Sequence, residues 1–125
     1  MSPAARSVFA WGLYMGVVGA IFLLVPNAAL PLFGFAPTNE IWIRMVAMLA
    51  LALAYFYWQA ARAELTPLFR WKVHAHVFGV VCMLAFVALR LAPPMLLLFA
   101  TADVLAGGWT WLALRGQPAA RPRPA

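Results

Sequence analysis

The sequence predicts an all-α integral membrane protein, a bundle of four transmembrane helices with both termini in the cytoplasm. Three observations predict it. Of 125 residues, 66% are hydrophobic and only 10% are charged; soluble domains are about half apolar and about a quarter charged, so this chain lacks the polar residues to cover a water-facing surface. Four apolar stretches, 8–25, 41–61, 73–92 and 95–114, are each long enough to cross a hydrocarbon core of about 30 Å at about 1.5 Å per residue. All ten prolines fall outside those stretches, as expected of a residue that breaks helix interiors and suits turns.

The first span follows Arg6 and carries Trp11 and Tyr14. It is too long for the apolar core of a cleaved signal peptide, and Asn27 is a poor residue before a cleavage point, so it is read as a retained helix. The loop that follows is apolar, with Leu30, Leu32, Phe33 and Phe35, yet too short to span. It is expected in the outer interface, with a flap over a cavity, hinged at Gly34, as the alternative. Thr38 and Asn39 offer an N-cap to the second span, with Glu40 in its first turn, and Thr66-Pro67 marks the start of the third. A short basic loop joins the second and third spans and Pro93-Pro94 the third and fourth, so consecutive helices are expected as antiparallel neighbours. The stretch 116–125 reads as a disordered Pro/Arg tail.

Orientation follows from the basic residues. Arg6, Arg62, Arg70, Lys72, Arg115, Arg121 and Arg123 fall on one side, against Arg90 and the embedded Arg44 on the other. The positive-inside bias therefore places both termini in the cytoplasm. The net charge of +6 is thus explained by topology and by attraction to anionic lipid heads, and not by nucleic acid. Cys82 has no second cysteine to pair with, which excludes a disulfide.

Lipid supplies no hydrophobic drive between helices, so their contacts need small residues. Gly12, Gly16 and Ala20 form such a ladder on the first span, and Ala50/Ala54, Ala75/Gly79 and Ala102/Ala106 mark the others. The ladder serves packing within the bundle or, alternatively, a homo-oligomer.

The ionisable residues inside the spans are the candidate site, because a charge in hydrocarbon costs a few kcal/mol or more and usually faces protein or water. Asp103 lies about 13 Å past Pro94, near the midplane. Arg44, one turn into the second span, is placed about 8 Å above it on a helix running the same way, within reach of an extended guanidinium. A buried Arg44–Asp103 pair is the expected arrangement. An unpaired Asp103 would instead be a general acid or proton carrier, with Arg44 or Tyr55 as electrostatic helper. His74 and His76 are the candidate cofactor ligands. Two positions apart, they point about 200° away from each other and cannot close on one metal, so no metal site is expected; one faces the headgroups and the other the bundle. Glu64, beside the basic loop, reads as a solvated charge.

Several strings of this chain, Leu32-Phe33-Gly34-Phe35, Glu40-x-Trp42-Ile43-Arg44, Ala60-Ala61-Arg62 and Asp103 followed by Trp109-Thr110-Trp111-Leu112-Ala113-Leu114-Arg115, are similar to small four-helix proteins of bacterial inner membranes related to the DoxX-like group. The resemblance covers most of the chain and implies a four-helix bundle in the inner membrane, with quinone-linked or sulfur-linked redox work in some members. The lone Cys82 removes thiol-pair chemistry from that expectation. The function expected is a non-enzymatic bundle that binds a lipophilic small molecule or a membrane partner, in contact with membrane lipids and not with nucleic acid. The alternatives are an intramembrane enzyme using Asp103 on a lipophilic substrate and a proton-coupled small transporter.

Overall fold

The computed structural model describes residues 1–118, which are helical throughout apart from turns and loops. Most of the tail expected at 116–125 lies outside the described residues. In chain order come α1 (Pro3–Leu24), the single turn α2 (Pro26–Ala29), a 3-10 turn at Leu30–Phe33, α3 (Trp42–Arg62), α4 (Thr66–Ala88), a 3-10 turn at Pro94–Leu96, and α5 (Leu97–Arg115). Helices α1, α3 and α4, together with the Pro94–Arg115 segment, are the four that are long and apolar enough to cross a membrane.

Two helices start well before their apolar runs. The Ser2 hydroxyl accepts the Ala5 N–H at 3.0 Å and Pro3 takes the first helical position, so α1 begins five residues ahead of the expected span. Pro67 likewise occupies the first turn of α4, which starts at Thr66 and not near 73. An apolar run marks what enters hydrocarbon and not where the hydrogen-bonded helix begins. The expected cap at Thr38 and Asn39 is not formed. The Thr38 hydroxyl accepts the Glu40 N–H at 3.1 Å and its own N–H donates to Asn27 Oδ1 at 2.9 Å. These bonds brace the loop, and α3 begins at Trp42 with no side-chain cap.

Helices α3 and α4 both end in a reciprocal backbone cap. Leu65 N–H reaches Ala60 O at 3.0 Å and Glu64 N–H reaches Ala61 O at 3.3 Å; Leu91 N–H reaches Phe86 O at 2.8 Å and Arg90 N–H reaches Val87 O at 3.0 Å. This motif needs a left-handed residue just past the cap, usually glycine. Here Glu64 (φ 52°) and Arg90 (φ 57°) take that conformation.

Helix α1 is the centre of the bundle, packed against α3, α5 and α4, while α4 packs chiefly on α5. Helices α3 and α4, though consecutive, pack on each other far less than on α1 and α5, sharing a core with α1 where Ala60, Ala61 and Phe69 meet, which narrows the expectation that every consecutive pair would be neighbours. The glycines of α1 explain its central place. A Cβ at Gly12 would lie 2.6 Å from Trp58 Cδ1, and one at Gly19 would lie 3.1 Å from the Ala47 carbonyl oxygen. The small-residue ladder is therefore filled by α3 of the same chain, with Ala47 and Ala54 buried opposite it.

Glu64 is not a free solvated charge. Its carboxylate accepts the Ser2 N–H at 2.6 Å and the Ser2 hydroxyl at 2.7 Å, fastening the start of α1 to the α3–α4 turn. Ser7 Oγ and Thr110 Oγ1 lie 2.8 Å apart, so the last turns of α5 reach the same end. At the opposite end Gly34 (φ 78°) sits against Pro93. There Leu30, Phe33 and Phe35 line an apolar cavity of about 330 Å³ together with Phe22 and Phe99. The outward faces are apolar, with Phe78 72% and Leu105 68% exposed, the pattern of a protein whose solvent is hydrocarbon.

Candidate intramembrane polar site

Phe69, Lys72 and His76 stand at three- and four-residue spacing on α4, and all three are buried. That spacing puts them on one helix face, turned towards α1 and α5. On α5 the matching face carries Asp103, Gly107 and Thr110 at four- and three-residue spacing. Gly107 is what lets the helices meet, since a Cβ there would lie 3.0 Å from His76 Cβ.

A polar column runs between these faces. Ser7 Oγ is hydrogen-bonded with Thr110 Oγ1, which accepts from Lys72 Nζ at 3.1 Å and donates to the Ala106 carbonyl at 3.0 Å. Lys72 Nζ also lies 5.4 Å from the centre of the Trp11 ring, a cation–π placement. One turn further along α4, His76 meets the same ring edge-on, with centroids 4.5 Å apart. His76 Nδ1 is paired with Asp103 Oδ1. The pair occupies Nδ1, so Nε2 is the ring nitrogen left for another partner. His76 Nε2 is buried and has no hydrogen-bond partner. A buried polar atom is ordinarily satisfied, so an orphan of this kind calls for an explanation.

Two hollows adjoin the pair. One, of about 230 Å³, is lined by Trp11, Met15, Tyr57, Lys72, Ala75, His76 and Asp103. Its lining comes from α1, α3, α4 and α5, and Ala75 among those residues is exposed. The other, of about 370 Å³, is a groove between α4 and α5 whose walls apart from His76 and Asp103 are Val, Gly and Trp.

Asp103 and His76 are thus brought together, and the rest of the expected set is not. The Arg44–Asp103 pair is absent. Arg44 is exposed and donates to the Leu23 carbonyl, so it satisfies the last turn of α1 and its dipole. The physical reason is that α1 stands between α3 and α5, which a comparison of depths along two helices could not reveal. Tyr55 is exposed and accepts from Gln59 Nε2 at 2.9 Å; the tyrosine of the site is Tyr57. His74 is exposed and His76 buried, as their opposed directions required. His76 lies mid-helix, because α4 starts earlier than its apolar run.

Lys72, Trp11 and Ser7 are site residues that sequence reasoning missed, whereas Thr110 shares the Asp103 face by its helical spacing. By charge alone Lys72 reads as part of the basic loop, although its four-residue spacing from His76 is a visible signal. Among the described residues no three His, Cys, Asp or Glu side chains gather as a metal site. No family model matches the chain, and no curated protein or solved structure matches it.

Proposed function

We propose that this chain is a multi-pass inner-membrane protein, with both termini cytoplasmic, that binds a lipophilic small molecule by its polar head. The head enters the 230 Å³ hollow beside His76, and the hydrocarbon body leaves past the exposed Ala75. One observation carries this reading: Tyr57, Lys72, His76 and Asp103, from three helices, line one hollow, and the Nε2 of that imidazole is buried without a partner. Apolar pockets with a few convergent polar groups are the usual form of small-molecule sites. The charge bias of the loops supports the orientation, and kinship to the DoxX-like group is proposed on the sequence strings alone. A homo-oligomer would have to form through lipid-facing surfaces, because the glycine ladder is occupied by α3.

Acid–base chemistry on a lipophilic substrate is the second reading, favoured by the same pair. A carboxylate on Nδ1 orients an imidazole and leaves Nε2 to take or give the proton. In that case Asp103 is the orienting group and His76 the base.

Photolabelling with a diazirine-bearing long-chain alcohol tests the binding reading. Label should appear in peptides carrying Met15, Tyr57 or Ala75, and Ala75→Phe, at the exposed rim, should suppress it. Label spread evenly over the lipid-facing surface, unchanged by Ala75→Phe, would refute the site.

A further inference from the structure

We propose that the head group is an anion, a carboxylate on a long hydrocarbon chain, seated between Lys72 and His76. The inference rests on the binding reading above and narrows it to a ligand class.

Charge and hydrogen bonding lead to it. The whole sequence contains three acids, Glu40, Glu64 and Asp103. Glu64 is held by Ser2 at one end of the bundle, Glu40 lies in the loop before α3 at the other, and Asp103 is taken by His76. Lys72 is 2% exposed, yet the one ion pair among the described residues is His76–Asp103. Its ammonium has three donors and a single hydrogen bond, to Thr110 Oγ1. A buried ammonium with no carboxylate in contact is costly, and more so within a membrane.

Lys72 and His76 are one helical turn apart, about 6 Å in rise, and both line the same hollow. One carboxylate oxygen can accept from Lys72 Nζ and the other from His76 Nε2 once that imidazole is protonated. The ligand anion and Asp103 then balance Lys72 and His76, and the orphan Nε2 gains its partner. A neutral head group satisfies Nε2 but leaves Lys72 uncompensated. Trp11 and Met15 on the same wall are suited to the first methylenes of the chain.

The test compares oleate with oleyl alcohol on the full chain in phosphatidylcholine nanodiscs at near-neutral pH. Oleate should bind at least about tenfold more tightly. Lys72→Met should abolish that preference, and Lys72→Arg should retain it. Equal binding of the two probes by the parent would overturn the anion assignment and leave the binding reading standing. So would a preference that survives in Lys72→Met. If neither probe binds, both the assignment and the binding reading fail. The parent's preference is measured without any variant, so a Lys72→Met chain that does not fold leaves the test intact.

Discussion

His76 on α4 and Asp103 on α5 close on each other at the point where Gly107 removes the side chain that would hold the two helices apart. The pair is buried on the imidazole side and 18% exposed on the carboxylate side, so it is both a packing contact and part of a cavity wall. Asp103→Leu would leave both imidazole nitrogens of His76 without partners. An unsatisfied buried polar group costs about 1–3 kcal/mol. The expected outcome is a loss of that order in thermal unfolding of the detergent-purified protein, with a smaller loss for Asp103→Asn, whose amide oxygen still accepts. Variants as heat-stable as the parent would show that the pair holds nothing together.

Gly107 and Gly108 are adjacent and should respond in opposite ways. A methyl at Gly107 would meet His76 Cβ at 3.0 Å, whereas nothing lies within 4 Å of a Cβ built at Gly108. Gly107→Ala should cost about 1–3 kcal/mol by forcing α4 away from α5. Gly108→Ala should be neutral or gain up to about 1 kcal/mol from helix propensity. Paired melting curves separate the two.

The Ser2 hydroxyl and amide hold the Glu64 carboxyl below the usual carboxylate range. A depressed folded-state pKa gives stability that is present above the ordinary carboxylate value and is lost as pH falls through the lowered one. The parent should therefore melt higher than Glu64→Gln near neutral pH, and the two should converge on acidification. The effect should be small, because the pair is exposed. A difference that persists unchanged into strong acid would contradict the clamp.

Arg90 holds a left-handed conformation (φ 57°) at the end of α4. Arg90→Gly relieves the Cβ crowding there while keeping the backbone cap. Allowing for the extra freedom of glycine in the unfolded chain, the expected gain is about 0.5–1 kcal/mol. A matched substitution at Leu89, whose φ is −81°, should be destabilising instead.

What could be seen in the sequence divides by physical cause. The four long helices were legible because apolar length and proline placement are local properties. Asp103 was legible because an acid in an apolar run has no surface to explain it, and the divergence of His74 and His76 follows from helix geometry alone. The partner of Asp103 was not legible. It depends on α1 lying between α3 and α5, which glycine-to-side-chain fits such as Gly12 against Trp58 decide. Lys72 was hidden for a different reason: its charge placed it in a loop, whereas Pro67 starts the helix early enough to turn it inward.

The sequence has only two histidines, and their imidazole nitrogens can be followed by ¹⁵N NMR in nanodiscs as oleate is added. In the proposed complex the ligand's head meets His76 Nε2. The expected result is a change at His76 Nε2 while Nδ1 stays hydrogen-bonded, with exposed His74 unmoved. No change at His76, or equal changes at both histidines, would contradict it.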